Sequence, residues 1–263
     1  MDAVTYRSVY PMVETECVRL RMSCQHNMRD QYAGDISDYL KFAFLRAIAS
    51  GDRRLGIAWY YVPENDGRAD GRHLEYQKEN GWEKLDGEIH SQLALLKERK
   101  VRELERLAFW PINTLFHHAP VPTNKRDEWV QGMVEVMTDA KVVFLDPDNG
   151  LGHDARRHAR VADLIALQRE DRALAIIKFP GRHKSYLEQI SELHQSLRNA
   201  GLSDPITIIT CVNVPNGSTA RIPRHRFFTI AGADQEIGIR AKAFAKRLLA
   251  LKDVVHASAT YVA

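Results

Sequence analysis

Three apolar runs in this chain end abruptly in groups able to do chemistry. VVFLDPDNGLG, residues 142–152, closes a β-branched run with Asp146, Pro147, Asp148 and Asn149. AIIKFPGRHK ends another with Lys178, Phe179, Arg182 and His183, and WYYVPENDGRAD leads from aromatic residues to Asp66, Gly67 and Asp70. Two further basic stretches are HDARRHARVADL, residues 153–164, and RIPRHRFF, which carries Arg224 and Arg226. Two carboxylates one residue apart can share a divalent cation or accept hydrogens from an amine; cations beside them attract phosphate. Asp-Pro-Asp-Asn-Gly is equally good turn chemistry, and a lysine closing a strand can simply snorkel to solvent. His117 and His118 have no spaced partner of metal-site type and read as core or edge histidines.

The elements that would position these groups follow from periodicity. DISDYLKFAFLRAIAS predicts a helix with Asp35 as N-cap and Gly51 just past its end. Strands are expected over Leu55 to Val62, Asn113 to Ala119, Val142 to Asp146 and Ala173 to Phe179. Between them the pattern predicts one long amphipathic helix over Glu88 to Leu107, then helices over Arg126 to Ala140, about Ala159 to Glu170, and Lys184 to Gly201. Alternation of this kind predicts an α/β fold: a Rossmann-like, mostly parallel sheet with helices on both faces. Ile206 to Val214 and Arg226 to Gly232 have no helix between them and should pair as a hairpin, placing an antiparallel strand at the C-terminal end of the sheet. In open sheets of this type ligands bind beyond the carboxyl ends of the strands, where the chemistry-bearing residues stand.

Bulk properties narrow the class. With 263 residues, 44% hydrophobic and 27% charged, the chain reads as one α/β domain from residue 28 onward, behind an N-terminal extension of residues 1–27. The net charge of +3 does not by itself indicate nucleic acid; the clustering of cations at strand ends does more. Cys17, Cys24 and Cys211 lack disulfide or metal spacing, no stretch approaches the roughly 20 apolar residues of a membrane span, and the first residues lack a signal core. A cytoplasmic protein with no membrane partner is expected; oligomeric state is open.

YAGDISDYLKFAFLRAI, residues 32–48, resembles the N-terminal HAGNxADxLKH motif of the bacterial ribosomal RNA adenine-N6 methyltransferases that modify large-subunit RNA. Ala33, Gly34, Asp38, Leu40 and Lys41 match; Tyr32, Asp35 and Phe42 stand where the motif has His, Asn and His. VVFLDPDNG then occupies the place of a strand ending in DPPY, and AIIKF, the helix to Gly201 and the two-strand unit follow in the same order. The likeness spans most of residues 30 to 250, with only the first block and Asp146-Pro147 close in letters.

The resemblance implies a class I S-adenosylmethionine-dependent methyltransferase acting on nucleic acid, RNA ahead of DNA. Gly34, Asp38 and Lys41 would lie against the cofactor or target, and Asp66, Gly67 and Asp70 would hold its adenosine part. Asp146 and the Pro147 carbonyl would accept the two hydrogens of the amine being methylated. The chain departs from the family twice. Asp148-Asn149 replaces the aromatic that stacks on a flipped base, leaving Phe179 to substitute, and WYYVPENDG lacks the usual acidic-Gly-x-Gly cluster.

Two other readings stay open on the residues alone. Asp146, Asp148 and Lys178 could form a Mg2+-dependent nuclease or phosphohydrolase site, with VVFLDPDNGL superficially similar to a dehalogenase-type DxDGT strand end. A non-catalytic nucleic-acid-binding protein on the same fold is the third.

Overall fold

The computed structural model describes residues 29–63, 73–152, 158–215 and 221–263. Its centre is β3 (Val142–Asp146), all five residues of which are buried. The run is continuously apolar because both faces are covered. Val142 and Phe144 point into one core, Val143 and Leu145 into a second. The first core is closed by α1 (Ile36–Ile48), α2 (Gly87–Ala94) and α7 (Gln235–Ala250); the second by α4 (Arg126–Val136), α5 (Val161–Leu167) and α6 (Tyr186–Asn199).

The seven strands lie in the order β2-β1-β3-β4-β6-β5-β7. β2 (Leu115–His117), β1 (Leu55–Trp59), β3 and β4 (Ala173–Lys178) are mutually parallel. β6 (Arg221–Ala231) is antiparallel to both β4 and β5 (Ile206–Pro215), so β5 runs with the parallel set. β7 (Ala257–Val262) pairs antiparallel along the far edge of β5. The sheet is therefore mostly parallel with antiparallel C-terminal strands, and helices cover both faces. After β1 the chain steps outward to β2 and returns to the other side of β1 at β3. The topological switch thus falls between β1 and β3, where Trp59 and Asp146 are register partners.

Several expectations change in detail. The long helix over Glu88 to Leu107 is broken into α2 and a short α3 (Val101–Glu105). The cause is tertiary: Arg99 Nε donates to the Ala33 carbonyl at 2.8 Å, and the Val101 amide donates to Asp30 Oδ1 at 3.0 Å, so the segment before α1 captures the middle of the pattern. β1 and β2 stop short of Val62 and Ala119, and α4, α5 and α6 are shorter than expected by two to four residues at the ends that differ. β6 begins at Arg221 rather than Arg226, and the chain adds α7, α8 (Lys252–Val255) and β7 beyond the elements read from the sequence. The N-terminal extension, and Asp66, Gly67 and Asp70, lie outside the described residues.

Candidate functional site

Asp35 caps α1 by accepting from the Ser37 and Asp38 amides at 2.7 and 3.1 Å. The turn before it needs Gly34 at φ +79, and the Gly34 amide donates to Asp38 Oδ2 at 2.8 Å. One helical turn on, Lys41 lies on the same face as Asp38, which is how the D-x-L-K spacing becomes a contact: Lys41 Nζ stands 2.6 Å from Asp38 Oδ1. The same ammonium donates to Asp146 Oδ2 at 2.8 Å. Asp146 is 4% exposed, Asp38 1% and Lys41 4%, so α1 delivers a buried carboxylate-ammonium-carboxylate bridge to the β1/β3 switch point.

Burial opposes every charge in this bridge, and the partners decide the outcome. Desolvation works against the Lys41 ammonium, but Asp146 and Asp38 outweigh it and hold its pKa above the ordinary lysine range. Burial pushes the Asp146 carboxyl upward, and Lys41 pulls it back. Asp146 Oδ1 accepts no hydrogen bond from any described residue. The carboxylate is thus pinned by one oxygen with the other available as an acceptor at the sheet's carboxyl edge.

Arg226 enters the same cluster from β6. It is 2% exposed, and its Nε and Nη2 both donate to Ser37 Oγ, at 2.9 and 2.6 Å. Burial draws this guanidinium down to about 10, with Asp35 opposing. The Asp35 carboxyl is pushed up to about 6 by burial and Asp38, against Arg226 and Lys41. Three carboxylates (Asp35, Asp38, Asp146) face two cations (Lys41, Arg226), leaving one negative charge in excess within a dry site. Below them Trp59, with the Lys41 ammonium 5.9 Å over its ring, donates through Nε1 to Glu105 Oε1 at 2.9 Å. His118 Nδ1 reaches the same oxygen at 3.3 Å.

The remaining residues singled out from the sequence divide by place. Pro147 and Asp148 are buried and Asn149 half-buried in the turn after β3. That turn is pressed onto β4: a Cβ on Gly150, whose φ is +82, would lie 2.7 Å from the Lys178 Cβ and 3.2 Å from its Cα. Phe179 is half-buried and packs against the first core. Arg182 and His183 are exposed in the loop before α6, and Arg224 is half-buried on β6. Gly34, Asp38, Lys41, Asp146 and Arg226 come together; Lys178, Arg182, His183 and Arg224 stand farther along the same edge. His117 is buried against the Trp129 ring.

Sequence reading missed Ser37, Trp59 and Glu105, whose roles depend on pairings far apart in the chain. It also missed a second buried polar cluster on the opposite face. There Asp163, fully buried, accepts from Tyr60 Oη at 3.0 Å, Arg126 Nη2 at 2.6 Å and Arg160 Nε at 2.9 Å. Arg126 also lies over the Tyr60 and Trp129 rings at 4.8 and 4.4 Å. An aspartate amid the apolar letters VADLIAL was its sequence signal. The cluster ties α5 and the chain leading into it to α4 and to the residue that follows β1.

Among the described residues no group of three His, Cys, Asp or Glu side chains is placed to hold a metal ion, and Lys41 already neutralises Asp146. No helix of the described residues is long and apolar enough to cross a membrane.

No family model matches the chain, and no curated protein matches it. Among solved structures it is similar to protein LPL1258 from Legionella pneumophila strain Philadelphia 1, described by the family model DUF519. The two superpose with a TM-score of 0.51 at 11% identity, covering 88% of this chain and 98% of the other. At that identity the likeness establishes the Rossmann-like α/β fold.

Proposed function

We propose that this protein is an S-adenosylmethionine-dependent methyltransferase acting on an amino group of a nucleic-acid base. The observation that carries the reading is Asp146 at the β1/β3 switch point, held at one oxygen by Lys41 while Oδ1 accepts nothing from the described residues. Such an acceptor suits an exocyclic amine, whose lone pair is delocalised into its ring and must be localised before it can attack. The family resemblance of residues 32–48, and β6 inserted antiparallel between β4 and β5, support the same reading.

The side chains present fit the cofactor in charge. An excess of one carboxylate among Asp35, Asp38, Asp146, Lys41 and Arg226 complements a sulfonium cation in a site with little water to screen it. Gly34, Asp38 and Lys41 would stand against the cofactor, with Asp66, Gly67 and Asp70 as further candidates outside the described residues. When bound, S-adenosylmethionine supplies an electrophilic methyl group.

The chain's own residues do the rest. Asp146 Oδ1 accepts one amine hydrogen, and the Pro147 carbonyl accepts the other. Lys41 opposes the upward push of burial on the Asp146 carboxyl and fixes its orientation. Asp38, bonded to both Lys41 and the Gly34 amide, holds the ammonium in place. The test is transfer of labelled methyl from S-adenosylmethionine to bulk bacterial RNA and DNA by wild type and Asp146→Asn. Label appearing with wild type and lost in the variant supports the reading. Equal incorporation by both proteins removes Asp146 from the chemistry, and turnover of nucleic acid that requires Mg2+ instead would favour the nuclease alternative.

A further inference from the structure

β5 and β6 pair over ten register positions, from Ile206↔Ile230 to Pro215↔Arg221. β4, however, accompanies β6 only as far as Phe227, and β7 accompanies β5 only as far as Val212. The six residues from Arg221 to Arg226 therefore run past the end of β4, a length of about 20 Å at about 3.3 Å per residue. Because β5 runs with the parallel strands, this arm projects from their carboxyl edge, the edge that carries Asp146.

The arm and its neighbour are one-sided in charge. Residues 205–233 contain no Asp or Glu but include Arg221, Arg224, His225 and Arg226; residues 172–187 contain none but include Lys178, Arg182, His183 and Lys184. The two segments meet where Tyr186, the first residue of α6, bonds His225 Nδ1 through its hydroxyl at 3.0 Å, with ring centroids 4.6 Å apart. Both rings are partly exposed. Burial and Arg226 push the His225 imidazole below the ordinary histidine range, toward its neutral, stackable form. Lys184 is paired with Glu192. At the base of the arm the Arg226–Ser37 bonds tie it to the first turn of α1, and so to the Asp38–Lys41–Asp146 bridge.

We propose that the β5–β6 arm and the loop before α6 form a docking surface for single-stranded RNA, with Tyr186 and His225 as a stacking face for an unpaired base, Arg182 and His183 beside its phosphates on that face, and Arg224 on the other face of the arm, where the RNA continues past it toward the site. Stacking rings flanked by cations are what unstacked RNA segments bind, whereas paired RNA hides its base faces. Tyr186 and His225 lie on the α6 side of the sheet, opposite Asp146, so they hold a nucleotide flanking the target rather than the target itself. The inference rests on the methyltransferase reading for its purpose, but not for its test.

Fluorescence anisotropy with a labelled single-stranded RNA of about 20 nucleotides is run beside S-adenosylmethionine-induced thermal stabilisation on the same proteins. Wild type is expected to bind RNA with affinity that falls steeply with salt. Y186A/H225A is expected to lose about tenfold and R182E/R224E more, with cofactor stabilisation and circular dichroism unchanged. Y186F, which keeps the ring and removes the hydroxyl, is expected to bind within about twofold of wild type. Undiminished binding by both double variants, no RNA binding by wild type, or preference for single-stranded DNA or duplex RNA would each overturn the proposal. Cofactor stabilisation that persists in those cases would leave the methyltransferase reading standing, and its absence in wild type would count against that reading alone.

Discussion

Lys41 is the residue on which the site turns. Its ammonium is bonded on either side by Asp38 and Asp146, all three nearly inaccessible to water. Removing one partner from a buried ion pair leaves the others desolvated without compensation, which costs about 3–5 kcal/mol. Lys41→Ala is therefore expected to lower the urea midpoint by that equivalent, and to abolish activity with it. Asp146→Asn keeps size and one acceptor while removing charge. It removes the excess charge that complements the sulfonium, so cofactor affinity is expected to fall, and turnover at saturating cofactor to fall about 100- to 1,000-fold, as loss of a single transition-state contact does. Asp35 adds a pH signature. Its folded pKa, about 6, lies above the unfolded value near 3.8, so protonation favours the fold. The stability it contributes is complete below about pH 3.8 and is lost as pH rises through about 6. Asp35→Asn preserves the cap, and its urea midpoint is expected to vary less across that window than that of wild type.

At the scale of elements, the site depends on how the β3 turn is held. Gly150 occupies a left-handed conformation against the Lys178 backbone. Gly150→Ala adds strain of about 1–3 kcal/mol and a steric overlap that displaces Asp146–Pro147–Asp148. The expected result is a modest fall in thermal midpoint with a disproportionate fall in turnover, checked by calorimetry and a methyl-transfer assay. The strands themselves were legible from letters because a strand buried on both faces has a continuous apolar run; β3 and β4 follow that pattern closely. The helix over Glu88 to Leu107 was misread because amphipathic periodicity does not register contacts made by Asp30 and by the Ala33 carbonyl, which break it at residues 95–100. The D-x-L-K spacing placed Asp38 and Lys41 on one face; nothing in the letters revealed that Asp146, 105 residues after Lys41, would complete the bridge.

For the whole molecule, the order β2-β1-β3-β4-β6-β5-β7 creates both the switch crevice and the overhanging arm. β7, invisible in the alternation that exposed the other strands, covers the edge of β5 through six register pairs. Deleting residues 257–263 bares that edge, so the truncated chain is expected to unfold at lower urea and to self-associate on size exclusion. Excess carboxylate charge, a pinned acceptor and a basic arm all stand on one edge of the sheet, and that shared edge is the ground for their assignment to one ligand system. Isothermal titration of the full-length protein with S-adenosylmethionine tests that assignment most directly. One saturable site per chain is expected, with weaker but still saturable binding in Asp146→Asn. Clean, folded protein that shows no heat of binding at millimolar S-adenosylmethionine would contradict it.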